Sequence, residues 1–432
     1  MKVSFITLGC KVNIYESNAI KEELTKRGHV ITNELEESDC YIINTCSVTN
    51  MADAKSRKMI RKCIKENPNA IICAIGCYAQ TNPEVKEIDG IDIILGNGNK
   101  GKLVDMIEEI ARSPKKEKKI DIIDILEMHE YEPLGVTTYD HTRAFVKIED
   151  GCENFCTYCI IPYARGPVRC KNQDDVINEL INITNKGYKE VVLAGIHTGR
   201  YNDNGTNLSG LVKRIITEVP KLKRLRLSSI EINEIDDDFI SLMKQHDILA
   251  NHLHLPLQSG SDLVLSKMER KYDVKFYVDK INKIREARPD IAISTDIIVG
   301  FPYETEKEFM ETYNLAKDLK LTKLHVFPYS MRHGTKAASF PQVDEKIKKD
   351  RAARLIALSK ELEDSYANNY IGQELDMIIE QKNGNYMVGH TSNFLQVLLP
   401  YDAKLIKKEV KIKVIKVENS LIYGQLLEIY EN

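Results

Sequence analysis

Cys152, Cys156 and Cys159 stand in one tight loop, CENFCTYC, directly after the strand-like run RAFVKIEDG. No other feature constrains the fold as strongly, because three thiolates so closely placed need a rigid scaffold behind them and an open side in front. Three thiolates can hold three irons of a four-iron cluster and leave the fourth iron free. A free iron can chelate the amino and carboxylate groups of S-adenosylmethionine (SAM) and pass an electron to its sulfonium. The competing readings are three small apolar core residues or a zinc knuckle. Zinc commonly takes two CxxC pairs, and no second pair or CxxH completes this loop.

The flanking pattern supplies the scaffold. From about residue 142, six strand candidates (RAFVKIEDG, EVVLAG, KRLRLSS, HLHLPL, IAISTDIIVG and KLHVFPYS) alternate with helical stretches. A complete TIM barrel has eight strands, so six βα units predict an incomplete (βα)6 barrel with its chemistry at the C-terminal strand ends. The first ~112 residues alternate in the same way and predict an open α/β sheet, mostly parallel. The charged, Pro-containing stretch 111–119 reads as a linker. A charged helix over about 344–366 precedes five short strands that read as a small β-barrel. The predicted organisation of this α/β protein is thus 1–112, a linker over 113–140, the barrel domain over 141–340, a connecting helix over 341–366 and the small barrel over 367–432.

Other compositional facts exclude whole classes. No apolar run approaches the ~20 residues needed to span a bilayer, and MKVSFITLGCKVN reads as a first strand, not a signal peptide. A cytoplasmic location away from membranes is the expectation. Ten cysteines in 432 residues are too few and too scattered for a disulfide framework, which favours metal or catalysis. A net charge of −3, from 61 basic and 64 acidic residues, requires any polyanion contact to come from local patches.

Three further cysteines each follow a predicted parallel strand: Cys10 after KVSFITLG, Cys46 after CYIINT and Cys77 after AIICAIG. They would share the sheet edge where open α/β sheets bind ligands. Taken alone, that placement fits either a second metal site or cysteines in a core. Cys73 competes with Cys77 but lies inside the apolar run. Cys40, Cys63 and Cys73 are expected as buried thiols, and Cys170 as non-ligating. Candidate SAM contacts at the barrel strand ends are Gly195, His197, Ser229, Glu231, Gln258, Ser259 and Asp296, with no catalytic residue assigned. Two basic stretches offer nucleic-acid contacts: the helix bearing Lys55, Arg57, Lys58, Arg61, Lys62 and Lys65, and the C-terminal run with Lys404, Lys408, Lys411, Lys413 and Lys416. The alternation KIKVIKV predicts Lys411, Lys413 and Lys416 on the solvent side, as an RNA-binding face or a solubilising edge.

The run CENFCTYCIIPYARG resembles the signature of the radical-SAM methylthiotransferases, and the similarity extends through VVLAGIHTGRY, RLSSIEI, HLPLQSGSD, TDIIVGFPYETE and FPYSMRHGT. The last ~65 residues resemble that family's TRAM domain, an RNA-binding module. Cys170 stands where a serine is expected and Tyr303 where glycine is usual; neither is a proposed ligand. Through GCKVN, NTCSVTN and GCYAQ, the resemblance implies that Cys10, Cys46 and Cys77 hold a second 4Fe-4S cluster beside that of Cys152, Cys156 and Cys159. It implies two uses of SAM: radical formation at the latter cluster, and methylation of sulfur presented at the former. The stretch NTCSVTNMADAKSRKMIR resembles the branch acting on N6-threonylcarbamoyladenosine next to the anticodon. The implied partners are a tRNA anticodon stem-loop, an electron donor such as flavodoxin or ferredoxin, and an unidentified sulfur donor. The same resemblance admits isopentenyladenosine in tRNA or a ribosomal-protein aspartate as substrate. The reading from another class is a non-catalytic, zinc-stabilised RNA-binding protein.

Overall fold

The computed structural model describes residues 1–113, 117–139 and 142–430. The central strands of its N-terminal sheet are buried throughout, as a sheet covered on both sides demands. The strands of this sheet are β1 (Lys2–Thr7), β2 (Val30–Thr32), β3 (Cys40–Thr45), β4 (Ile71–Gly76), β5 (Ile93–Leu95) and β6 (Lys119–Asp121). All pair in parallel in the order β2-β1-β3-β4-β5-β6. Helices α1 (Lys11–Lys26), α2 (Asn50–Glu66), α3 (Cys77–Thr81) and α4 (Leu103–Arg112) connect them.

β6 corrects the expected boundary at residue 112. It lies inside the stretch read as a linker and adds an edge strand to β5. Three residues after a lysine run make too short an apolar pattern to register as a strand. Residues 114–116 and 140 of that stretch, and residue 141 after it, lie outside the described residues.

Six parallel strands then form the half-open barrel: β7 (Ala144–Lys147), β8 (Glu190–Ala194), β9 (Arg224–Leu227), β10 (His252–His254), β11 (Ala292–Val299) and β12 (Lys323–Pro328). They pair as two three-stranded arcs joined by single bridges, Leu225 to Leu249 and Ser229 to His254. A short helix, α5 (Ile161–Arg165), follows the cysteine loop. The connecting helix α6 (Glu345–Asn368) starts at Asp344, whose side chain caps it. The last five strands, β13 (Glu374–Asn383), β14 (Tyr386–Thr391), β15 (Gln396–Pro400), β16 (Glu409–Glu418) and β17 (Leu421–Ile429), close into a barrel.

The small barrel plugs the N-terminal end of the large one. Phe394, in the loop between β14 and β15, is stacked between His252 and His390 at 4.7 and 4.6 Å. The Arg226 guanidinium lies 4.7 Å from the same ring and donates to the carbonyls of Thr391 and Ser392. Stacking and cation–π contacts contribute about 0.5–2 kcal/mol each. Phe394→Ala is therefore expected to destabilise this junction by about 2 kcal/mol. Hydrogen exchange should then speed up in β14 and β15 while β3 and β4 stay protected.

Candidate functional site

β1, β3 and β4 are adjacent in the sheet, so the residues that leave their C-terminal ends emerge side by side. Cys10 sits at the head of α1, Cys46 just past β3, and Cys77 at the head of α3. Gly9 makes their approach possible: its φ is +103°, and a Cβ there would lie 3.0 Å from the Cys46 Cβ and 3.1 Å from its Sγ. Asn13 ties the loops together by donating to the carbonyls of Leu8 and Thr45 at 2.7 and 3.0 Å. Burial pushes the Cys46 thiol up to about 11, and Cys77 and Cys10 add to the rise, as expected of thiols that converge. Such thiols are protonated at neutral pH and must lose their protons on binding a metal.

The three cysteines expected in the core lie there. Cys40 and Cys73 are fully buried, their sulfurs 3.9 Å apart in the sheet core, and Cys63 is buried on the opposite face. Cys170 accepts the Asn202 N–H at 3.2 Å, away from both triads.

The loop of Cys152, Cys156 and Cys159 caps the C-terminal end of β7. Gly151 (φ +101°) is obligatory, since a Cβ would stand 1.9 Å from the Pro167 carbonyl oxygen. The thiols have buried polar neighbours. His197 Nδ1 lies 3.6 Å from Cys152 Sγ, and its Nε2 lies 2.5 Å from Glu234. The Arg270 guanidinium donates to Cys156 Sγ at 3.4 Å and pairs with Glu231. Burial pushes the Cys159 thiol up to about 12, with a further rise from Cys156. Among the described residues no three His, Cys, Asp or Glu side chains close on a single-ion site. The donor chemistry of each triad fits a four-iron cluster, in which every thiolate binds a different iron.

A cavity of about 200 Å³ adjoins Cys159. Val48 and Thr49 line it from the N-terminal domain, and Gln258, Asp296 and Phe327 from the barrel. Of the residues expected to meet SAM, Gln258 and Asp296 reach this cavity, while Glu231 adjoins the cluster loop through Arg270. Gly195 leaves room for Glu149, whose carboxylate oxygen would be 2.6 Å from a Cβ there. Ser229 is exposed and bridges to His254 through its backbone. His197 contacts a cysteine and is buried, which makes it a support for the loop. Ser259 is fully buried, with its hydroxyl 3.3 Å from Thr312 and accepting the Ser261 N–H. Arg270 was not among the candidates, because a single arginine in MERKY carries no signal until the fold brings it to Cys156.

The basic stretches also change meaning. In β16, Lys411 faces Asp376 and Glu428 across the neighbouring strands and Lys413 faces Glu374. Lys416 pairs with Glu418 at 2.8 Å, beyond a bulge that breaks the alternation and exposes Ile415. The linear run of charge is thus largely offset in space, although Lys404 stays exposed and Lys408 half-buried. A different face of the small barrel combines cations with aromatic rings. Lys382 lies 4.6 Å over Tyr401, Lys416 lies 4.8 Å over Tyr423, and Tyr386 packs edge-on against Tyr423. In α2, Lys55, Lys58, Arg61, Lys62 and Lys65 are exposed, whereas Arg57 folds over Tyr78. The start of this helix is pinned to the barrel rim by Arg332, which contacts Asp53 at 2.7 Å and Asn50 at 2.8 Å. Its cationic face therefore begins beside the cavity.

Residues 2–96 match the Uncharacterized protein family UPF0004, and residues 146–316 the Radical SAM superfamily. The chain is 43% identical to the threonylcarbamoyladenosine tRNA methylthiotransferase MtaB of Bacillus subtilis, over all of this chain and 97% of that one. It is 37% identical to MtaB of Aquifex aeolicus, over 89% and 94% of the two chains. It is 35% identical to the tRNA-2-methylthio-N(6)-dimethylallyladenosine synthase of a Thermoanaerobacter species, over 98% and 92%. In fold it resembles the radical S-adenosylmethionine methyltransferase TsrM of Kitasatospora setae, with a TM-score of 0.54 at 14% identity, covering 75% and 72% of the chains.

Placement at the sheet edge separates Cys77 from Cys73. Cys77→Ala should lose iron from anaerobically loaded protein, whereas Cys73→Ala should keep it and lose only about 1 kcal/mol of stability. Elemental analysis and thermal unfolding read the two effects.

Proposed function

The chain belongs to the radical-SAM methylthiotransferases, in the branch of the threonylcarbamoyladenosine tRNA methylthiotransferases, and from that membership we propose that it adds a methylthio group to C2 of N6-threonylcarbamoyladenosine beside the tRNA anticodon. The observation that carries this reading is the convergence of two cysteine triads, from two domains, on strand ends joined by a shared wall. When bound, a cluster with an open iron holds SAM and supplies the electron that splits it, and a second cluster carries the sulfur.

The protein's own residues do the rest. Cys152, Cys156 and Cys159 hold the radical-forming site, with Arg270 and His197 fixing two of the three thiols. Gln258 and Asp296 offer polar groups to the ribose and sulfonium of SAM, and the apolar wall from Val48 to Phe327 keeps water from the reacting carbon. Cys10, Cys46 and Cys77 hold the second cluster. The target base has to leave its stack to enter, which a single-stranded anticodon loop permits at low cost. An external one-electron reductant of the flavodoxin or ferredoxin type completes the chemistry. No helix among the described residues is long and apolar enough to cross a membrane.

RNA contact is assigned first to the exposed cations of α2 and to the aromatic face of the small barrel, where rings can stack on bases. Each phosphate contact contributes about 0.7–0.9 to the slope of log affinity against log salt. Replacing Lys55, Lys58 and Arg61 by glutamine should flatten that slope by about two to three, whereas the same change at Lys408, Lys411 and Lys413 should flatten it by less than about one. Substrate choice is tested by offering tRNAs bearing threonylcarbamoyladenosine or isopentenyladenosine. Nucleoside mass spectrometry should find the methylthio gain only in the first, and preference for the second would move the protein to the other branch.

A further inference from the structure

Six charged side chains are packed out of contact with solvent between the two cysteine triads. Among the described residues Lys100, Lys147, Arg165 and Arg169 pair with two carboxylates, Glu16 and Asp150, and all six are more than nine-tenths buried. Arg165 Nη1 lies 2.6 Å from Glu16 and 3.2 Å from Asp150, and its Nη2 donates to Asn13 at 2.5 Å. Lys147 lies 3.0 Å from Glu16 and 2.7 Å from Asp150, and Lys100 also pairs with Glu16. Two other acids stand nearby without closing the balance. Glu149 is turned to the backbone N–H groups of Ile196 and His197, and burial pushes its carboxyl well up. Glu132, at the half-exposed margin, accepts the Gly101 N–H, and its carboxyl is also raised by burial. An interior with surplus positive charge is costly unless something negative lies against it.

Two asparagines link these residues to the second triad. Asn97 donates to Cys77 Sγ at 3.3 Å and to the Ala164 carbonyl at 2.8 Å, while its own oxygen accepts from Lys100 at 2.8 Å. Asn13, which takes one Arg165 donor, is the residue that ties the Cys10 and Cys46 loops together. One donor of this network is unused: Arg165 Nε is buried and has no partner among the described residues. An unpaired buried N–H costs about 1–3 kcal/mol, so its retention points to an acceptor that binding brings.

We propose that Arg165 is the positioning residue of the second site: its Nε–H donates to the sulfur-bearing group held by Cys10, Cys46 and Cys77, and its charge stabilises the negative charge of that group. The proposal rests on reading the triad as a cluster site. Because Arg165 closes the helix that follows Cys159, it also fixes the second site against the loop of the first. A cation beside an anionic cluster favours the reduced form, so its removal lowers the reduction potential of that cluster alone.

The test is an anaerobic redox titration of the loaded full-length protein, followed by electron paramagnetic resonance, in wild type, R165Q and R165K. The radical-forming site is recognised by a signal that changes when SAM is added. The SAM-insensitive signal should shift to lower potential in R165Q, with R165K between, while the SAM-sensitive midpoint stays put. Selective loss of the SAM-insensitive signal in R165Q, with iron falling from about eight to about four, equally supports the anchor. An unmoved midpoint in R165Q overturns it, as does loss of both signals together, which would make Arg165 a general structural pin. Wild type holding only about four irons would instead refute the second cluster itself, a failure distinguishable from the others.

Discussion

The buried ionic contact of Glu16 with Arg165, Lys100 and Lys147 is the interaction on which the rest of the arrangement depends. Burial alone would raise the Glu16 carboxyl, but the three cations hold it well below the usual carboxylate range. Opening such a group leaves charges stranded in a low-dielectric interior, a loss of about 3–5 kcal/mol for each partner removed. Glu16 lies on α1, directly behind Cys10, whereas Lys147 ends β7 and Arg165 ends the helix after Cys159. One set of contacts therefore orients α1, which Cys10 heads, against β7 and the helix after Cys159. A hydrophobic contact of equal area would tolerate sliding, but a fork of short ion pairs does not.

Around that frame the chain separates its tasks by strand end. The C-terminal ends of both sheets carry thiols and the cavity, whereas the N-terminal end of the large barrel is closed by the Phe394 loop and the Arg226–Glu190 pair. Exposed cations gather on α2, next to the cavity, and an aromatic face lies on the small barrel. In the function proposed above, these two places hold the RNA while one base enters the cavity.

Much of this was legible in the chain. Local spacing announced the CENFCTYC loop, and the βα rhythm announced both parallel sheets, because period and punctuation are local properties. What escaped was set by distant neighbours. Lys411 looked unpaired until Asp376 and Glu428 arrived from other strands; Ser259 looked like a loop residue until Thr312 covered it; Arg270 and Asn97 acquire meaning only where the fold places a cysteine sulfur within reach. The edge strand Lys119–Asp121 was missed because three residues after a lysine run carry too little pattern.

The proposed function divides the labour: Cys152, Cys156 and Cys159 hold the radical-forming site, and Cys10, Cys46 and Cys77 hold the site that presents sulfur for methylation. Its most direct test is a multiple-turnover assay of the Cys10→Ala/Cys46→Ala/Cys77→Ala protein with reductant, SAM and tRNA bearing threonylcarbamoyladenosine, scoring deoxyadenosine and methylthio nucleoside together. Measurable deoxyadenosine with no methylthio product is expected. Sustained methylthiolation by that variant would contradict it.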